Sequence, residues 1–154
     1  MSATHSFDVS CLRRAIELAA EARAAGDMPF GSLLAGPDGE VLVEDRNTVL
    51  TSNDITAHPE LKTALWASRN LEGEVAARTT MYTSTEPCPM CCGAIYWARI
   101  RRVVFGCSAE ALARLAGPGF SISARALLAH AAHPTAVLGP LLEAQAIEVH
   151  TGYW

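Results

Sequence analysis

The feature that most constrains the fold is an alternation of helical and extended patterns between residues 59 and 106. Apolar residues at helical spacing run from Pro59 to about Asn70, followed by a strand pattern over 80–84, a helical pattern over 89–99 and a strand pattern over 102–106. A helix that links two neighbouring strands forms a crossover, which makes those strands parallel. The sequence therefore predicts an α/β fold with at least some parallel pairing.

The flanking residues predict further elements. A first helix, capped by Asp8 or Ser10, runs to Gly26, and two apolar runs around Gly36-Pro-Asp-Gly39 indicate a β-hairpin. Residues 45–58 are polar and indicate a functional loop. Beyond residue 106 the patterns predict helices at 108–116, 122–131 and 140–150 and a strand at 135–138.

Length and composition restrict the class of protein. The 154 residues fit a single domain spanning 1–154, and 50% hydrophobic against 18% charged residues excludes a disordered chain. No apolar run reaches the roughly 18 residues that a membrane span needs. The first residues show no signal-peptide pattern, so we expect a cytoplasmic protein. The apolar surplus also predicts an oligomer interface, and we expect a homodimer.

The strongest chemical signal joins two short motifs. His58-Pro59-Glu60 is followed, 27 residues after Glu60, by Pro87-Cys88-Pro89-Met90-Cys91. One imidazole and two thiolates are three ligands that suit tetrahedral Zn²⁺, and three protein ligands leave the open fourth position of a catalytic site. A structural zinc or a redox cysteine pair would explain the ligands but not the neighbouring carboxylate. An odd set of five cysteines in a chain without an export signal also favours metal or thiol chemistry.

Two prolines support this interpretation. Pro59 and Pro89 each directly follow a proposed ligand, and Pro is favoured at the first position of a helix. His58 and Cys88 would then be helix N-caps, with the positive helix ends directed at the site, where they favour thiolates and anions.

These motifs resemble the cytidine deaminase-like zinc deaminases, whose signature is His-x-Glu followed by Pro-Cys-x-x-Cys. The resemblance covers residues 28–106 and is closest to the branch of guanine deaminases and tRNA adenosine deaminases. It rests on Met28-Pro-Phe-Gly31, Asn47, Asn53-Asp54, Thr56-Ala57-His58, Glu60 and Glu86-Pro-Cys-Pro-Met-Cys91. It implies a three-layer α/β/α sandwich with a mixed five-stranded sheet.

The resemblance also implies roles for single residues. His58, Cys88 and Cys91 match the zinc ligands. Glu60 matches the acid/base that takes a proton from the attacking water and delivers protons to a ring nitrogen and the leaving ammonia. The other matches concern the substrate. Asn47 matches a residue that contacts the substrate, Ala57 a position whose backbone borders it, and Phe30 a residue of the pocket wall. From the C-terminal segment, the candidates for closing the pocket are Glu143, Tyr153 and Trp154.

One residue departs from the family pattern. Pro59 stands where relatives usually have Ala, and it removes a backbone donor at the mouth of the site. We expect zinc binding to survive, because the first amide of a helix is unpaired anyway. The departure weakens any transfer of substrate identity from those relatives.

Three functions remain open from the sequence. The first is deamination of a small amino-heterocycle, with a guanine-like ring favoured and a cytosine-like or triazine ring as alternatives. The second is a tRNA adenosine deaminase, and the third is a zinc-binding module without catalysis. A tRNA editor needs Lys or Arg for phosphates. The net charge is −4, Lys62 is the single lysine, and Arg125 is the one Lys or Arg among the last forty residues. We therefore favour a small-molecule substrate and no nucleic acid or membrane partner.

Overall fold

A five-stranded mixed sheet organises the protein, in a computed structural model that describes residues 3–154. The strands are β1 (Gly31–Ala35), β2 (Val41–Arg46), β3 (Thr80–Thr85), β4 (Arg102–Cys107) and β5 (Ala136–Leu138). Their order is β2-β1-β3-β4-β5. β1 is antiparallel to both β2 and β3, whereas β3, β4 and β5 are parallel. The predicted hairpin and parallel pairing are both confirmed.

Helices cover the two faces of the sheet. Their bounds are α1 (Ala3–Ala24), α2 (Val49–Ser52), α3 (Pro59–Asn70), α4 (Gly73–Ala77), α5 (Pro89–Trp97), α6 (Ala109–Ala116), α7 (Ala124–Ala129) and α8 (Glu143–Glu148). Within residues 3–154, no helix has both the length and the apolar character that crossing a membrane requires.

The alternation of strand side chains builds two separate cores. Leu33, Tyr82 and Val104 pack with α1 on one face. Their chain neighbours Leu34, Met81 and Val103 point to the other face and pack with α3 and α5. This is the three-layer α/β/α arrangement expected from the family resemblance.

Gly31 allows α1 to lie very close to the sheet. A Cβ atom at this position would lie 2.4 Å from the Ala15 carbonyl oxygen and 2.5 Å from the Leu18 Cβ. Only glycine lets α1 pack this closely on the first residue of β1, which directly follows Phe30.

The prediction that Asp8 or Ser10 caps the first helix is wrong. α1 is already helical at Ala3, and Asp8 is a buried residue inside it. The Asp8 carboxylate accepts hydrogen bonds from Arg102 at 2.7 Å and from the Tyr82 hydroxyl at 2.6 Å. These partners lie on strands far along the chain, so Asp8 connects α1 to the sheet. The last helix is shorter than predicted, and α2 and α4 were not predicted.

Candidate metal centre and active site

The three proposed metal ligands lie at the starts of two helices. His58 is the N-cap of α3 and Cys88 the N-cap of α5, both with extended backbone and each followed by a proline in the first turn. Cys91 lies in the first turn of α5. The sequence-based expectation for both N-caps is confirmed. Both helices therefore direct the positive ends of their dipoles towards one point.

The distances between the ligand atoms fit a tetrahedral zinc ion. The two sulfurs are 3.6 Å apart, and the His58 Nδ1 lies 3.6 Å from the Cys91 Sγ and 3.8 Å from the Cys88 Sγ. Zinc bonds of about 2.3 Å to sulfur and about 2.05 Å to nitrogen would separate two sulfurs by about 3.8 Å and a sulfur and a nitrogen by about 3.6 Å. Within residues 3–154, His58, Cys88 and Cys91 are the one group of at least three such side chains arranged to hold a metal.

The charges of the two thiols are unequal. The Cys88 and Cys91 sulfurs share a 3.6 Å hydrogen bond, and this bond, together with the His58 imidazole, lowers the pKa of Cys88 to about 4 against the opposing effect of burial. The same bond and burial raise the pKa of Cys91. Near neutral pH, Cys88 is therefore a thiolate and Cys91 a thiol. A metal ion that binds both sulfurs displaces the proton of Cys91.

The other cysteines are free and chemically quiet. Burial raises the pKa of Cys92 to about 12 and that of Cys11 and Cys107 to about 11. Their thiols stay protonated at neutral pH and do not compete for the metal.

Glu60 lies beside the ligands without joining them. Its side chain is buried, its Oε2 is 3.7 Å from the Cys91 Sγ, and its Oε1 accepts a 2.6 Å hydrogen bond from the Thr83 hydroxyl. Burial raises the pKa of Glu60, and the Thr83 bond opposes that rise. A carboxylate whose pKa is raised by its surroundings, next to a metal site, is suited to take up and release protons.

Asn47 has an unused donor in a fully buried position. Its Oδ1 accepts the Val49 N–H, whereas its Nδ2 has no hydrogen-bond partner. A buried unpaired donor is costly unless a ligand or water binds it. The backbone N–H of Asn47 donates to the Phe30 carbonyl oxygen, and the backbone N–H of Thr48 donates to the Ala57 carbonyl oxygen. Three predicted substrate-contacting residues are therefore connected through adjacent backbone segments.

The C-terminal segment places two ring side chains, His150 and Trp154, beside Phe30. The ring centroids of Phe30 and Trp154 are 6.1 Å apart, and His150 lies 5.3 Å from Phe30. Glu143 is placed differently: its Oε1 accepts from the amide and the hydroxyl of Ser108 at the start of α6. Its substrate contact stays a prediction.

Comparison with known proteins identifies the family. The model of the cytidine and deoxycytidylate deaminase zinc-binding region matches residues 5–107. The chain belongs to this family. It is a zinc-binding deaminase, and His58, Cys88 and Cys91 fit its metal site.

Relatives of this deaminase act on different bases according to their names. A probable cytosine deaminase of Schizosaccharomyces pombe is 39% identical over 155 residues, covering 96% of this chain and 92% of the relative. The guanine deaminase of Bacillus subtilis is 45% identical over 95 residues, covering 61% of this chain and 60% of the relative. A solved tRNA A34 deaminase shares the fold with a TM-score of 0.70 and 27% identity, covering 92% of this chain and 99% of that one.

Two residues of this deaminase site, Thr83 and His150, were missed from the sequence, and a third, Glu86, was named as part of a motif without a role. Thr83 holds the Glu60 carboxylate, and His150 contacts both Phe30 and Trp154. Glu86 accepts from the amides of Ala109 and Ala124, the first residues of α6 and α7, and so fixes both helices beside Cys88. A usable signal existed for Thr83, because a hydroxyl in the middle of a buried strand needs a polar partner.

Proposed function

We propose that this deaminase hydrolyses the amino group of a small free amino-heterocycle and releases ammonia. Guanine, expected from the sequence, and cytosine, named for the relative that matches nearly the full chain, are the first candidates. The two rings of Phe30 and Trp154, joined to Asn47 through its backbone hydrogen bond to Phe30, carry the proposal. Two such rings favour a planar heterocycle, and the unpaired Asn47 Nδ2 offers it a hydrogen bond.

The proposed chemistry divides among these residues. Zinc, when bound by His58, Cys88 and Cys91, supplies the Lewis acidity that lets a water molecule ionise near neutral pH. Glu60 Oε2 faces the ligand group, so it is the atom that accepts a proton and returns it to the heterocycle. Thr83 fixes the other oxygen and thereby orients the carboxylate.

The single lysine of the chain, Lys62, and the one Lys or Arg among its last forty residues, Arg125, both bind other groups of the protein. Lys62 pairs with Asp45 at 2.7 Å. The Arg125 guanidinium donates to the carbonyl oxygens of Val137 and Gly139. The engagement of both side chains within the protein supports a free base over a tRNA substrate.

Ammonia release from a zinc-loaded sample tests the proposal. The panel consists of guanine, cytosine, cytidine, adenine, ammeline and a tRNA stem-loop. We expect turnover of at least one free base and none of the stem-loop. Activity confined to the stem-loop would identify a tRNA deaminase instead, and no turnover at all would indicate a zinc-binding module without catalysis.

Asn47→Ala provides a matched test of the binding residue. Loss of one hydrogen bond to a neutral ring should raise KM by roughly 2- to 13-fold, corresponding to about 0.5–1.5 kcal/mol. Asn70→Ala, at the exposed end of α3, should leave KM unchanged. Equal KM values for the wild type and Asn47→Ala would exclude the proposed contact.

We also propose that the protein forms a homodimer. Several large apolar side chains are exposed, among them Trp97 at 80%, Ile55 at 79% and Leu50 at 58%. Apolar surface of this kind supports burial against a second copy. Light scattering on a sizing column should give twice the chain mass of 16.4 kDa, and a single-chain mass would refute the proposal.

A further inference from the structure

His150 joins the C-terminal segment to the strand that carries the site. The residue is almost fully buried. Its Nε2 lies 3.0 Å from the Thr85 Oγ1, and its Nδ1 accepts a 3.3 Å hydrogen bond from the indole N–H of Trp154. The rings of His150 and Trp154 are nearly parallel, at 18° and 6.1 Å between centroids.

These bonds determine the tautomer of the imidazole. An indole N–H can only donate, so the Nδ1 of His150 must be unprotonated. In the neutral ring the proton then lies on Nε2, which donates to the Thr85 hydroxyl oxygen. Burial, together with the charge of Arg23, lowers the pKa of His150 to about 4, so this neutral form prevails near neutral pH.

His150 lies on the same side of the sheet as Glu60. Residues two apart on a strand point to the same face, and Thr83 and Thr85 are two apart on β3. Thr83 holds Glu60, and Thr85 contacts His150. The two anchor points are therefore roughly 7 Å apart along the strand.

The neighbouring residues of the segment are fixed by a separate contact. The Arg23 guanidinium donates to the carbonyl oxygens of Val149 and Thr151, both at 2.9 Å, and lies 5.7 Å from the centre of the Tyr153 ring. Arg23 therefore sets the path of the backbone, whereas His150 sets the orientation of the indole. Trp154 remains 46% exposed, so part of its indole is open to a ligand.

We propose that His150 is a positioning residue that holds the Trp154 indole beside Phe30 as one wall of the substrate site. Recognition of a planar ring then depends on a histidine outside the metal centre. The proposal rests on the proposed function, because the ring to be recognised is that of the free amino-heterocycle. An indole that contacts the heterocycle equally well in the substrate complex and in the transition state lowers KM and leaves kcat nearly unchanged.

Two conservative variants separate positioning from support of the fold. Asn places an acceptor oxygen where His150 has Nδ1, so His150→Asn keeps the partner of the indole. Gln places a donor where His150 has Nε2, so His150→Gln keeps the bond to Thr85 but not the partner of Trp154. A purely structural role would make the two variants equivalent.

The experiment measures the indole N–H resonance of Trp154 by NMR and KM and kcat for the best free base. Trp154→Phe assigns the resonance, and His130→Gln, at an exposed histidine, is the control. We expect His150→Gln to shift the resonance and raise KM about two- to tenfold, as for the loss of one aromatic contact, with little change in kcat. His150→Asn and the control should resemble the wild type.

The outcomes distinguish this proposal from the proposed function. An unshifted resonance in His150→Gln, or equal effects of the Gln and Asn variants, overturns the positioning role. The resonance is recorded without substrate, so this result does not depend on which base is turned over. Failure of the zinc-loaded wild type to deaminate any free base refutes the proposed function instead.

Discussion

Replacement of Glu60 by Gln separates proton transfer from metal binding. Gln has nearly the same shape, and its carbonyl oxygen can still accept the 2.6 Å hydrogen bond from Thr83. The metal ligands are untouched, so we expect about one zinc per chain. The variant cannot move a proton, and general acid–base catalysis contributes about 10²–10⁴-fold. The value of kcat/KM should fall by that factor, or by about 3–5 kcal/mol of transition-state stabilisation.

The burial of Glu60 predicts that this loss occurs without a loss of stability. Burial raises the pKa of Glu60 in the folded protein, so ionising it above that pKa costs folding free energy. Gln removes this cost at neutral pH, and the melting temperature should not decrease. Glu110→Gln, at an exposed residue paired with Arg114, is the matched control and should leave activity and zinc content unchanged.

Thr83→Val removes the hydroxyl that donates a hydrogen bond to the Glu60 carboxylate. A hydrogen bond to a charged group contributes about 1.5–3 kcal/mol, which corresponds to about one to two pKa units. The Thr83 bond lowers the pKa of Glu60, so its loss should move the acidic limb of the kcat/KM profile to higher pH by that amount.

Loss of zinc in Glu60→Gln, or full activity in that variant, would refute the assignment of Glu60 as a non-ligand acid/base.

The remaining predictions concern the metal and the fold. Cys88→Ala should lose zinc, measured by atomic emission, and melt at a lower temperature, whereas Cys92→Ala should retain the metal. Burial opposes ionisation of Asp8, but hydrogen bonds from Arg102 and Tyr82 hold its pKa below the ordinary value of 3.8. Asp8→Asn should therefore lower the free energy of unfolding by about 1–3 kcal/mol at pH 7, and urea titrations with a chelator should show the difference shrinking below about pH 4. Gly31→Ala should destabilise by about 3 kcal/mol in the same assay, because its Cβ would collide with α1; wild-type stability would show that the close contact is wrong.

Local rules predicted the metal centre well. A proline after His58 and another after Cys88 fix both the helix starts and the extended caps, and these depend only on neighbouring residues. The alternating patterns likewise predicted the crossovers, because the period of apolar residues reports which face is buried.

Contacts between distant residues could not be predicted in this way. Asp8 satisfies the local pattern of a helix cap, but Arg102, 94 residues away, offers a charge-assisted bond inside the folded protein. Similarly, His150 meets Thr85 across 65 residues. No spacing rule connects such pairs, since they become neighbours only when β3 and β4 are in place.

A zinc titration of the metal-depleted protein tests the central claim most directly. Ammonia release from the best free base is measured as zinc is added and bound zinc is counted. If His58, Cys88 and Cys91 hold one ion that serves the reaction, activity should rise in proportion to bound zinc and level off at one zinc per chain. Full turnover in the metal-depleted protein, or one bound zinc per chain with no release of ammonia from any base, would contradict it.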